Sequence, residues 1–227
     1  MTMFPRNVLA ITRKDIALEL RGKESLSIMF FLSILLLVIF NMALDLDKEE
    51  TASLAPGILW VIFAFTGILG MGRTSMAEKD EDAYLSVIFS PASSEALYIG
   101  KVISNLIFLM VIEISTLFFF AILFDFEQII LLVPYLLPSL LLGTVGFSLI
   151  GTLFSFLTTT SKYGEVILPF LFLPVVVPVL LGGVSSANII LEGRPFIETM
   201  KWIQILAIFD IMYCGISLLL FKYLIEE

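Results

Sequence analysis

Six stretches of this 227-residue chain are long and apolar enough to cross a bilayer: 25–44, 54–72, 102–124, 129–157, 166–183 and 202–225. A span needs about 20 residues, because each adds about 1.5 Å to a helix and the hydrocarbon core is about 30 Å thick. Lipid offers no partner to backbone N–H and C=O groups, so runs of this length can be buried only as helices bonded within themselves. The expected fold is therefore an all-α integral membrane protein with six transmembrane helices, forming a single membrane domain over 1–227. The composition points the same way. Hydrophobic residues make up 59% of the chain and the mean hydropathy is +1.05, against about 45–50% apolar residues in soluble domains. The first run carries no A-x-A-type cleavage site and is read as a retained span.

Prolines mark two of the runs. The fourth holds Pro134 and Pro138, which predict a kink, a tilt or a break near its start. The fifth holds Pro169, Pro174 and Pro178 and should not be a straight rod. Ahead of the first span, residues 7–22 suit an interfacial helix. Its apolar side chains fall in two stripes, Leu9, Ile16 and Leu20 on one side and Val8, Ile11 and Leu18 on the other. Such a helix can touch lipid with one stripe and protein with the other.

The basic residues set an orientation. With the N-terminus cytoplasmic, ten of the 13 Lys and Arg residues fall on the inner side: Arg6, Arg13, Lys14, Arg21, Lys23, Arg73, Lys79, Lys101, Lys162 and Lys222. Only Lys48, Arg194 and Lys201 fall outside. This positive-inside bias places both termini and the 73–101 loop in the cytoplasm, with 184–201 as the longest outer loop. Trp202 beside Lys201 reads as an interfacial anchor.

Within the 73–101 loop, "EKDEDAYLSVIFSP" (78–91) combines five charged residues with an apolar run too short to cross a bilayer. Glu78, Asp80, Glu81 and Asp82 suit a helix N-terminus, where the dipole favours negative charge, and Pro91 suits the other end. At 100° per residue Ala83, Tyr84, Val87 and Ile88 cover one side, and Leu85 and Phe89 widen the apolar zone. A helix apolar nearly all round is buried. Its own domain can cover one side, and a cytoplasmic partner protein is the natural cover for the rest. The competing reading is a loop helix dipped into the headgroup layer.

Several function classes find no support. Histidine is absent, which removes His-based metal sites and acid–base catalysis within this chain. The single cysteine, Cys214, cannot form an intrachain disulfide. A net charge of −8 gives no support to nucleic-acid binding. No G-x-x-x-x-G-K-[ST] loop is present, so any ATP hydrolysis belongs to another chain. "GFSLIG" (146–151) misses the nucleophile-elbow spacing and lies in mid-span. Two acids, Glu113 and Asp210, fall inside the third and sixth spans, where ionisable groups are costly and mark either function or an internal hydrogen bond. Thr144, Ser148, Gly151, Thr152 and Ser155 recur at helical spacing in the fourth span. Such small residues permit close helix packing and, alternatively, a substrate-lining surface.

The layout resembles the ABC-2-type permeases, with six spans, an N-terminal interfacial helix, cytoplasmic termini and a coupling helix between spans two and three. "LAPGILWV" (54–61), "SP" (90–91), "GK" (100–101), "SLLLGTVGFSLIGTL" (139–153) and "LPFLFLPVVVPVLLGG" (168–183) resemble the cytochrome c maturation protein B family over nearly the whole chain. That is the permease subunit of a haem-exporter ABC complex of the bacterial inner membrane. The resemblance implies that Asp82, Tyr84, Leu85, Ile88, Phe89 and Pro91 form the ATPase-coupling segment. It implies a cytoplasmic ABC ATPase subunit as partner, a second, haem-handling membrane subunit, and a periplasmic haem chaperone acting indirectly. Haem and ATP would be handled by those partners, with no cofactor held in this chain and membrane lipid around it. Two ATPase domains need two docking sites, which either two copies of this chain (a homodimer) or one copy beside another subunit could supply. Two alternatives differ in class: an ABC-2 permease exporting a lipid, drug or glycan, and a membrane-embedded transferase, for which the loops lack a cluster of charged residues around a metal or phosphate.

Overall fold

A computed structural model of the chain describes residues 3–80, 93–159 and 164–226, with side chains over 3–72, 93–157 and 168–224. Among these residues the longer elements are all helices: α1 (Met3–Gly22), α2 (Glu24–Leu44), α3 (Lys48–Asp80), α4 (Ser94–Leu123), α5 (Gln128–Thr159), α6 (Gly164–Leu191) and α7 (Met200–Glu226). A 3-10 turn, Phe196–Thr199, leads into α7. Helices α2 to α7 each contain a stretch long and apolar enough to span a membrane.

Their ends follow local chemistry more than hydropathy. Helix α3 starts at Lys48, ahead of the apolar run, because Asp47 caps it: Oδ1 accepts the N–H groups of Glu49 and Glu50, each at 2.9 Å. The Glu50 carboxylate in turn accepts the Asp47 N–H at 3.3 Å, a reciprocal capping box. At its other end α3 runs on to Asp80, so Glu78 and Asp80 belong to its last turn and not to a helix start. Met76, Ala77, Glu78 and Lys79 all favour helix, and nothing between Gly72 and Asp80 breaks one. Helix α4 starts at Ser94, eight residues before its apolar run. Ser93 caps it, its Oγ accepting the Ala96 N–H at 3.3 Å.

The expected outer loop over 184–201 is helix as far as Leu191, which leaves Glu192–Pro195 as the turn before the 3-10 element. Gly182–Gly183 does not end α6. Both glycines are contact points: a Cβ at Gly182 would lie 2.9 Å from Leu206 Cδ2 of α7, and one at Gly183 would overlap the Trp60 ring of α3. The prolines of α5 and α6 interrupt neither helix. In lipid the carbonyls they free can be satisfied by neighbouring groups and small helical adjustments.

Helix α5 is the hub, packed against α3, α4, α6 and α7. Helix α2 leans on α3 and α4, and α6 also meets α3 and α7. Helix α1 packs on the first turns of α4 through Val8, Thr12 and Asp15, its three buried residues. The Thr12 hydroxyl donates to Gly100 O at 3.0 Å, and a Cβ at Gly100 would lie 2.8 Å from Ile11 Cγ2. The missing side chain is what lets α1 approach this closely.

Candidate functional site

Polar side chains inside the bundle converge on α5. Between α4 and α5 they pair in register. Glu113 meets Thr144, its two carboxyl oxygens 2.8 and 2.9 Å from Thr144 Oγ1. Eight residues back along α4 and eight on along α5, Asn105 Nδ2 donates to Thr152 Oγ1 at 2.9 Å. Ser148 Oγ, one turn on from Thr144, donates farther down α4, to Val102 O at 2.6 Å. The two helices therefore run antiparallel, with one polar pair every two turns or so. On the remaining sides of α5, Ser155 Oγ donates to Met71 O of α3 at 3.1 Å, and Gly151 sits against Met71 and Phe172. All five residues of the stripe thus lie at helix contacts. All are buried.

The Thr144 hydroxyl also lies 2.7 Å from Leu140 O. It carries one proton and has three acceptors within reach. If Thr144 donates to Leu140 O, a donor on Glu113 completes the chain. A glutamine supplies such a donor, so Glu113→Gln should leave accumulation and activity close to the parent. Glu113→Lys should sharply lower the amount of folded protein, because a full charge replaces that donor in a closed apolar setting. Immunoblots of membranes with a functional assay would check both. Loss of activity in an abundant Glu113→Gln protein would show that ionisation of Glu113 is used.

Asp210 lies across α5 from Glu113. It is 7% exposed, and a Cβ at Gly146 would lie 2.8 Å from its Oδ1 and 3.0 Å from Val179. Positions 144 and 146 of α5 are about 200° apart around the axis, so the two acids address opposite faces at nearly one depth. Neither Asp210 oxygen has a hydrogen-bond partner among the described residues. The structure does not bring the two acids together into one site. Nor does any group of three or more His, Cys, Asp or Glu side chains gather as for a metal among the described residues.

Other contacts carried little signal in the sequence. Trp60 is 2% exposed and wedged between Gly143 of α5 and Gly183 of α6. Near the start of α4, Tyr98 donates to Leu149 O at 2.8 Å. Its ring lies 5.1 Å from that of Phe221, which lies 4.6 Å from Phe156. This cluster joins the start of α4 to the ends of α5 and α7. Trp202 is partly buried, with Lys201 Nζ 5.6 Å from its ring centroid, a cation–π contact suited to an interface. Asp82, Tyr84, Leu85, Ile88, Phe89 and Pro91, expected to form the coupling segment, lie outside the described residues.

A bundle of six apolar helices, pinned internally by polar pairs and glycine contacts around one central helix, defines a multi-pass all-α membrane protein. The particular family follows from comparison. The model described as CcmB protein matches residues 6–222, and the chain belongs to that family. Heme exporter protein B of Pseudomonas aeruginosa is 27% identical over 197 residues, 86% of this chain and 86% of that protein. Heme exporter protein B of Rhodobacter capsulatus is 30% identical over 186 residues, covering 81% and 84%. The protein of that name from Bradyrhizobium diazoefficiens is 25% identical over 186 residues, covering 81% and 82%.

Proposed function

We propose that this chain is the membrane permease subunit of an ABC-type haem exporter, or haem-chaperone release complex, in cytochrome c biogenesis. The observation that carries the reading is the family match across residues 6–222, together with relatives named for haem export that align over most of their length. The chain is not an enzyme in this reading. A separate cytoplasmic ATPase hydrolyses ATP, a haem-handling membrane subunit and a periplasmic chaperone carry the haem, and no cofactor is held here. Both termini are cytoplasmic in the inner membrane, as the distribution of basic residues supports.

The fold suggests how force would enter. Residues 81–93 join α3 to α4, so an ATPase docked on Leu85, Ile88 and Phe89 would pull on the first turns of α4. Those turns are held by α1 at Gly100 and by the Tyr98 cluster with α5 and α7. Displacement of α4 would therefore move several helices together, because packed contacts transmit strain and do not absorb it.

The direct test is purification of the tagged protein from native membranes, with identification of co-purifying chains and a haem absorbance spectrum. An ABC ATPase and a haem-containing membrane partner are expected. An ATPase accompanied by lipid- or glycan-handling proteins, and no haem, would replace the reading with a different export substrate. Topology is tested separately. Ser186 is fully buried in α6, so the outer reporter must lie in the turn after it. In a Cys214→Ser background, Glu192→Cys should react with an impermeant thiol reagent from the outside only. Reaction solely from the cytoplasmic face would invert the orientation.

A further inference from the structure

A lipid-facing groove of about 390 Å³ opens between α2 and α4, lined by Leu26, Phe30 and Phe31 on one side and Val111 and Ile112 on the other, with Lys23 among its walls. Its place along the membrane follows from the register of the two helices. At the far end of α2, Asn41 Nδ2 donates to Leu123 O at 2.8 Å. At the near end, Lys23 precedes the first turn of α2 and lines the groove together with Val111. The groove thus starts at the headgroup end of α2 and follows the helix inward for about 12 Å, from residue 23 to residue 31.

Lys23 stands in the left-handed region, with φ 56°, and its N–H donates to Glu19 O at 2.6 Å as α1 ends. Glycine takes this conformation without steric cost and is the usual residue there. Gly22 is the preceding residue, yet the left-handed position carries a lysine. The nearby acid Glu19 is already engaged, accepting the Leu26 N–H at 2.7 Å as a cap for α2. Lys23 forms no ion pair among the described residues and is exposed.

We propose that this groove holds one acyl chain of an anionic phospholipid whose phosphate is bound by Lys23. The shape favours a chain over a protein helix. Over its length of about 12 Å the groove averages about 33 Å² in section, well below the roughly 80–110 Å² of a helix 10–12 Å across and enough for the upper part of one extended acyl chain. The charge favours an anionic headgroup, since Lys23 sits where α2 meets the interface and belongs to the basic end of the bundle. The inference does not depend on what the protein exports.

The test uses the full-length protein in lipid nanodiscs containing phosphatidylglycerol with a photoactivatable acyl chain, and peptide mapping of the crosslinks. Labelling should be enriched severalfold at Phe31 and Val111 over Ile211 and Leu219, which are also exposed apolar positions. Lys23→Gln should lower that enrichment roughly fivefold, the effect of about 1 kcal/mol for one basic side chain near an anionic surface, while Lys23→Arg should keep it. Zwitterionic photoactivatable phosphatidylcholine should show little enrichment. Uniform labelling across all four positions, or enrichment indifferent to Lys23→Gln, would overturn the proposal. Labelling at Phe31 and Val111 below that at Ile211 and Leu219 would also overturn it, and would mean that another protein surface covers the groove.

Discussion

Gly143→Val should deplete the folded protein from the membrane, and Gly183→Val should do the same. A Cβ at either position would overlap atoms of the Trp60 ring, Cη2 from the α5 side and Cζ2 from the α6 side. The indole cannot yield as a flexible side chain would, because each glycine blocks the retreat from the other. Overpacking of this kind costs about 1–3 kcal/mol or more, and a membrane bundle has little to offset it, since its helices are held chiefly by close packing. Gly215 has nothing within 4 Å of its absent Cβ, so Gly215→Ala should be neutral. The signature is in the pair. Trp60→Leu should restore much of the loss in a Gly143→Val background by giving the new side chain room, a coupling that independent sites would not show. Solubilised yield, monodispersity and heat resistance would report it. A Gly143→Val protein as abundant and heat-resistant as the parent would mean that Trp60 is not gripped as the structure has it.

The second large effect concerns the 78–91 segment. The combined change Leu85→Asp, Phe89→Asp should leave the protein in the membrane yet remove the ATPase from it on co-purification, with failure of cytochrome c maturation. Burying one such side chain contributes about 1.5–3 kcal/mol, and a carboxylate forced into the same apolar contact reverses the sign. Loss of two contacts on that scale lowers affinity by several powers of ten. In the proposed docking Tyr84 would add a polar handle at the rim of the contact. The acids at 80–82 should set orientation and association rate more than affinity, so Asp80→Asn should do much less. A double variant that kept its ATPase but failed to insert would instead assign the segment to the interface or the core.

The six spans were legible in the sequence because hydropathy sums over twenty residues and local exceptions are averaged out. The ends were not. Helix α4 extends back to Ser94 over a mixed stretch buried by α1 at Gly100 and by α5 and α7 at Tyr98, and no window along α4 alone records that those helices lie there. Hydropathy ended the fifth span at 183, yet in this bundle Gly182–Gly183 lies within α6 and marks where Trp60 and Leu206 press in. The stripe from Thr144 to Ser155 was visible as a period of 3.6. Its partners were not, because the pairing of Glu113 with Thr144 and of Asn105 with Thr152 depends on the register between two helices. Trp60 and Trp202 carry the same side chain in two settings, a closed cradle and a partly buried contact beside Lys201. Only Trp202 had a neighbour that revealed its setting.

The central claim is that this chain serves haem delivery to c-type cytochromes. The measurement closest to it is covalently bound haem, read by in-gel peroxidase staining and pyridine haemochrome spectra. The cells carry a deletion of the gene, complemented by the wild type or by the Leu85→Asp, Phe89→Asp double variant. Holo-cytochromes c should vanish on deletion, return with the wild-type gene and stay absent with the double variant, while b-type cytochromes, whose haem is not covalently attached, remain. Normal c-type cytochromes in the deletion strain, accompanied by loss of a lipid, drug or glycan from the outer side, would contradict the account and assign the permease another cargo.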